Sequence, residues 1–133
     1  MKQIPEVQLF SRDADMDSGF VKMMFGVEKK LGNDRLSGCE VAVFIYLAMN
    51  LDYTMNIATH RNGKPIKRTH IAEDLGYNKL SVYKAVTTLT DLGYLQGAKV
   101  GNYNFIVVNP RYARKSNNID PQIYELFDRK QNT

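Results

Sequence analysis

The stretch "IAEDLGYNKLSVYKAVTTLTDLGYL" (Ile71–Leu95) sets two short amphipathic runs on either side of Gly76 and ends the second at Gly93. A glycine in this place stops one helix and turns the chain toward the next. Asn78 can cap the second run, and Tyr77 with Val82 occupies the two positions of a hydrophobic staple. At about 100° per residue, Val82, Ala85, Val86 and Leu89 share one face. Leu80, Lys84 and Thr87 point away from it, with Tyr83 and Thr88 on the shoulders. The inner face is small and β-branched, suited to close packing. The outer face is polar, with no acid before Asp91. The pattern predicts a helix-turn-helix whose second helix keeps one side open.

Upstream, "LSGCEVAVFIYLAMNLD" (Leu36–Asp52) predicts a scaffold helix. Ser37 and Glu40 have the spacing of a capping box. Val41, Phe44, Ile45, Ala48 and Leu51 follow a helical stripe that Val43, Tyr46 and Leu47 widen. Cys39 and Met49 read as packing residues. Before it, "FVKMMFGVEKKL" (Phe20–Leu31) predicts a strand-like piece, a break at Gly26 and a helical turn. Residues 1–18 predict a polar, acidic arm. "TMNIATHRNGKPIKRT" (Thr54–Thr69) predicts a hairpin about Asn62-Gly63, with Pro65 restricting its second flank to an edge. Thr69 is the expected cap of the helix that follows.

Downstream, two apolar runs around Gly101-Asn102 predict a second hairpin, closed by Pro110. "NNIDPQIYELFDRK" (Asn117–Lys130) predicts a terminal helix with Asp120 as cap and Pro121 at its first position. Its Ile123, Leu126 and Phe127 need a partner, either this domain or a second copy.

This order predicts an α+β, mainly helical fold: a winged helix-turn-helix over residues 19–115, with residues 116–133 as a C-terminal helical extension. Such a motif lays its second helix in the major groove of double-stranded DNA. Asn78, Lys79, Leu80, Ser81, Tyr83, Lys84, Thr87 and Thr88 are then the expected base-facing residues. Asn suits adenine, Lys guanine or phosphate, and Leu80 a thymine methyl. Arg61, Lys64, Lys67, Arg68, Lys99, Asn102 and Arg111 are the expected backbone contacts, which set register without reading sequence.

Charge follows the same division. Residues 1–60 carry six Lys/Arg against eight Asp/Glu, residues 61–115 ten against three, and residues 116–133 two against three. A basic middle between mildly acidic ends points to a polyanion partner. No run of about 18 apolar residues exists, so no membrane span is expected. One cysteine, Cys39, permits no intrachain disulfide and suits a reducing, cytoplasmic setting. Two histidines, His60 and His70, give no metal-binding spacing, and no phosphate loop is present. Neither an enzyme nor a cofactor or metal site is therefore expected.

The runs "FVKMMF", "LSGCEVAVFIYLAMNLDYTMN", "IAEDLGYNKLSVYKAVTTLTDLGYL" and "GNYNFIVVNPRYARK" together resemble the RepL-type plasmid and phage replication proteins. The resemblance spans roughly Gly19 to Lys115 and rests most on "LSG.E" followed at the matching distance by "VNPRYARK". It implies binding at a replication origin in a bacterial host, with host replication proteins as partners. The second helix, "YNKLSVYKAVTT", is this chain's own, so no target sequence carries over. A winged-helix transcriptional repressor is the alternative. A homodimer through the C-terminal helix would match repeated or palindromic half-sites.

Overall fold

A computed structural model describes residues 20–131 of the 133-residue chain. The expected arm over residues 1–18 lies outside them. Chain order is β1 (Lys22–Met23), α1 (Val27–Asn33), α2 (Gly38–Ala48), α3 (Arg68–Leu75), α4 (Lys79–Asp91), β2 (Leu95–Val100), β3 (Tyr103–Val108), β4 (Ala113–Arg114) and α5 (Pro121–Gln131). This is a winged helix-turn-helix of α+β class: α3 and α4 form the motif and β2–β3 the wing. Among the described residues, no helix is long and apolar enough to cross a membrane.

The helix ends follow local chemistry. Gly26 precedes α1 at φ 96°, a left-handed conformation that costs glycine nothing. Ser37 and Glu40 form the capping box of α2, the hydroxyl accepting the Glu40 N–H and the carboxylate the Ser37 N–H. Gly76 ends α3 at φ 73°, and the Asn78 carboxamide oxygen accepts the Leu80 N–H at 2.7 Å to start α4. Asp120 accepts the Gln122 N–H at the head of α5.

Two expectations are corrected. The cap of α3 is Lys67 rather than Thr69, because His70 Nδ1 accepts the Lys67 N–H and starts the helix earlier. Ile45 and Met49 of the scaffold helix face solvent, whereas Val43, Phe44, Leu47 and Ala48 are buried. A helix apolar nearly all round gives no sequence cue to which apolar side is covered. The Asn62-Gly63 loop forms, with His60 donating to Lys64 O and Lys64 to Asn62 Oδ1. Its flanks pair briefly, as expected, through the bridge Thr59–Pro65 and the Ile66 N–H donating to Ala58 O at 3.3 Å, and Pro65, with no N–H to give, keeps the ladder short. Residues 56–58 also bond to the wing: Ala58 N–H to Ile106 O, Val108 N–H to Asn56 O, and Ile57 bridged to Val107.

The core is a continuous cluster beneath the motif, built from Phe44, Leu47, Ile71, Val82, Val86, Leu89 and Tyr94 among others. A second cluster joins Ile57, Phe105 and Val107 to Ile119, Ile123 and Phe127. The buried apolar face of α5 thus packs on its own chain, which removes the sequence argument for a homodimer through this helix.

Candidate nucleic-acid interface

Helix α4 buries Val82, Ala85, Val86 and Leu89 and leaves Asn78, Lys79, Leu80, Ser81, Tyr83, Lys84 and Thr87 exposed, with Thr88 half-buried. Leu80 is 61% exposed, an uncovered large apolar side chain on an otherwise polar ridge. Burial of the inner face fixes the helix against α2 and α3, so the outer face is presented rigidly rather than on a loop. No carboxylate interrupts it before Asp91.

Hydrogen bonds define what some of these side chains can offer. The Thr87 hydroxyl donates to Tyr83 O at 3.0 Å, so its lone pairs and methyl remain for a ligand, but not its proton. Asn78 already uses its carboxamide oxygen as the cap of α4. Bidentate pairing to adenine needs that oxygen as well as the amide nitrogen, so Asn78 fits a single contact better than a base-reading pair.

Two asparagines absent from the sequence-based site set the wing beside the helix. Asn109 donates through Nδ2 to Gly93 O at 3.0 Å and through its backbone N–H to Tyr94 O at 2.8 Å. The base of the wing is thereby pinned to the end of α4. Asn56, buried and left-handed at φ 57°, donates to Val108 O at 2.7 Å and Ala113 O at 2.9 Å. Asn109 stands in a visible signal, the Asn-Pro pair closing the wing; Asn56 has none, because its partners lie far along the chain.

A groove of about 500 Å³ runs between the wing and the motif. Lys67, Arg68 and Tyr83 line one side of it, Asn102, Tyr103 and Asn104 the other. The Arg68 guanidinium lies 5.0 Å from the centre of the Tyr83 ring, an arrangement that holds a cation in place through the ring's π face. Lys99 and Asn102 are exposed along the wing, and Lys64 on the preceding loop. Arg111 differs from the rest: it pairs with Asp128 at 3.0 Å and stacks on Tyr124, so it brings little net charge to a phosphate.

Within the motif, the acids ahead of α4 are Glu73 and Asp74, both on α3. Asp74 accepts the Tyr46 hydroxyl, and burial, reinforced by that carboxylate, pushes the Tyr46 pKa up to about 12. His60 and His70 prove not to be isolated. They touch, and among the described residues no third His, Cys, Asp or Glu joins them in a metal-sized cluster.

No family model matches the chain, and no curated protein does. Among solved structures it is similar to TubR bound to 24 bp of tubC from Bacillus thuringiensis serovar israelensis pBtoxis. The similarity has 20% identity over 78% of this chain and 90% of that one, with a TM-score of 0.40. The winged helix-turn-helix rests on the fold described above, whereas no matched family carries the RepL-type assignment.

Proposed function

We propose that the chain binds double-stranded DNA sequence-specifically, α4 entering the major groove and the wing lying along the adjacent backbone. One observation carries this reading: the outer face of α4 is open, polar and acid-free, with Lys84, Thr87 and Leu80 all uncovered. Lys79 and Lys84 supply charge, Thr87 an acceptor and Leu80 an apolar contact, the chemistries that distinguish base edges. Lys64, Lys67, Arg68 and Lys99 act on phosphates and set affinity and salt dependence.

Transcriptional regulation is the reading this geometry supports best. Blocking a promoter needs only occupancy of a site, which the α4 face can provide. Initiation at an origin, which the RepL-type resemblance implies, requires in addition a surface for host replication proteins. Selection of bound fragments from the parent genome tests both levels. Recovery of a short palindrome over a promoter supports regulation, and recovery of direct repeats beside an AT-rich stretch supports initiation. Fragments recovered without any common sequence would overturn sequence-specific binding.

A further inference from the structure

One face of the wing carries Leu95, Gly97 and Lys99 on β2 and their partners Val108, Ile106 and Asn104 on β3. The rung at its base, Leu95–Val108, is buried in the main core with the motif. The next rung, Gly97–Ile106, borders the groove of about 500 Å³ that Arg68 and Tyr83 also line. Glycine weakens a strand interior, and there it marks a bulge, a bend, or the close approach of a ligand or another backbone. The register runs unbroken from Leu95–Val108 to Val100–Tyr103, so Gly97 makes no bulge. Its φ is not positive, and among the described residues a Cβ added to it meets no heavy atom within 4 Å. Neither the backbone nor the packing requires glycine at 97. What the missing side chain leaves is an open slot.

The slot is apolar within and basic at its rim. Ile66 is buried and Ile106 half-buried, whereas Lys67, Arg68 and Asn104 are exposed. Among the described residues that line it, none is acidic. The Tyr83 ring holds the Arg68 guanidinium beside the slot. A duplex backbone offers sugar and phosphate, which match the rim but not the apolar lining. A flat ring joined to an anionic group matches both. We propose that the slot holds one nucleotide with an unpaired base, the base lying over Gly97 and Ile106 and the phosphate meeting Lys67 and Arg68. The Asn104 carboxamide can donate to and accept from the base edge. The nucleotide comes either free or from a single strand, for which a basic groove with an apolar or aromatic surface for the base is the general solution. The proposal goes beyond base reading by α4 and stands without it, since a base stacked in a duplex is not presented to the slot.

Amide NMR spectra of the full chain at matched ionic strength test it in two arms, deoxynucleoside monophosphates and a short single-stranded thymidylate. A ligand that binds should move Arg68, Gly97, Asn104 and Ile106 saturably. Thymidine and inorganic phosphate, each offering half of the ligand, should move them far less. A response to mononucleotides means that a free nucleotide suffices, and a response to the single strand alone assigns the slot to an unpaired strand. Gly97→Val suits a strand and has nothing near its Cβ, so it should keep the unfolding transition, fill the slot and abolish the response. Arg68→Gln, at an exposed position, should weaken the response by about tenfold or more, the scale of one charge-assisted hydrogen bond, and decides the matter should Gly97→Val fail to fold. Silence toward both ligands, a response to duplex DNA only, or wild-type binding by either variant would overturn the proposal.

Discussion

His60 and His70, ten residues apart in the chain, meet edge to face with Nε2 of the first 3.0 Å from Nδ1 of the second. The same Nδ1 accepts the Lys67 N–H at 3.1 Å, so His70 fills the place that Glu or Gln holds in a capping box. His70→Gln should preserve the cap of α3. His70→Ala should destabilise the fold by about 1 kcal/mol, the usual scale for a lost cap. Urea unfolding of the two variants checks the order; equal losses would remove the capping role.

Asn56 is a sharper structural test. Glycine tolerates its left-handed backbone but leaves Val108 O and Ala113 O without their donor. Asn56→Gly should therefore cost about 1–3 kcal/mol, and Asn56→Ala more, because alanine adds backbone strain. Asn56→Asp should be the worst of the three above neutral pH, since an acceptor would then face two carbonyls. Thermal or urea unfolding ranks them.

Asp34 ties stability to pH. Burial alone would raise its carboxyl pKa, but the ion pair with Lys30 at 2.9 Å and the Tyr94 hydroxyl at 2.8 Å outweigh it and hold the pKa below its ordinary value. A depressed folded-state pKa means that the contribution is fully present above the unfolded value, about pH 4, and is lost as pH falls through the folded one. Asp34→Asn should flatten the acid limb of a stability-versus-pH curve. An unchanged limb would mean that other carboxylates govern it.

Backbone contacts should reveal themselves through salt. Replacing Lys64 and Lys67 by alanine should weaken binding to all duplexes alike and reduce the slope of log K against log salt by about one unit per lost contact. Arg111→Ala should change the slope less, because Asp128 already matches its charge. An unchanged slope in the lysine variant would place the 60–67 loop outside the interface.

What the sequence made legible was local. The capping box of α2, the Gly76 turn, the Asn78 cap and the Gly101-Asn102 hairpin each depend on residues a few positions apart, and each is present. The open face of α4 followed from the same short-range pattern. What escaped depends on distant partners. Pairing of Lys22 with Arg114 and Met23 with Ala113 joins the strand-like start to the segment after the wing, across most of the chain. The Asn56 bonds and the meeting of His60 with His70 are of the same kind. Ile45 and Met49 were misplaced for another reason: α2 is apolar on nearly every side, so periodicity could not say which side stays wet.

The most direct measurement is binding-site selection with Lys84→Ala and Thr87→Val beside the parent chain. Lys84→Ala removes a charge from the open ridge, and Thr87→Val removes an acceptor while keeping the methyl. Each should alter base preference at one or two positions of the selected site, by ~1–3 kcal/mol per lost contact. Selection of the same site with the same preference by both variants would contradict the assignment of α4 as the reading helix.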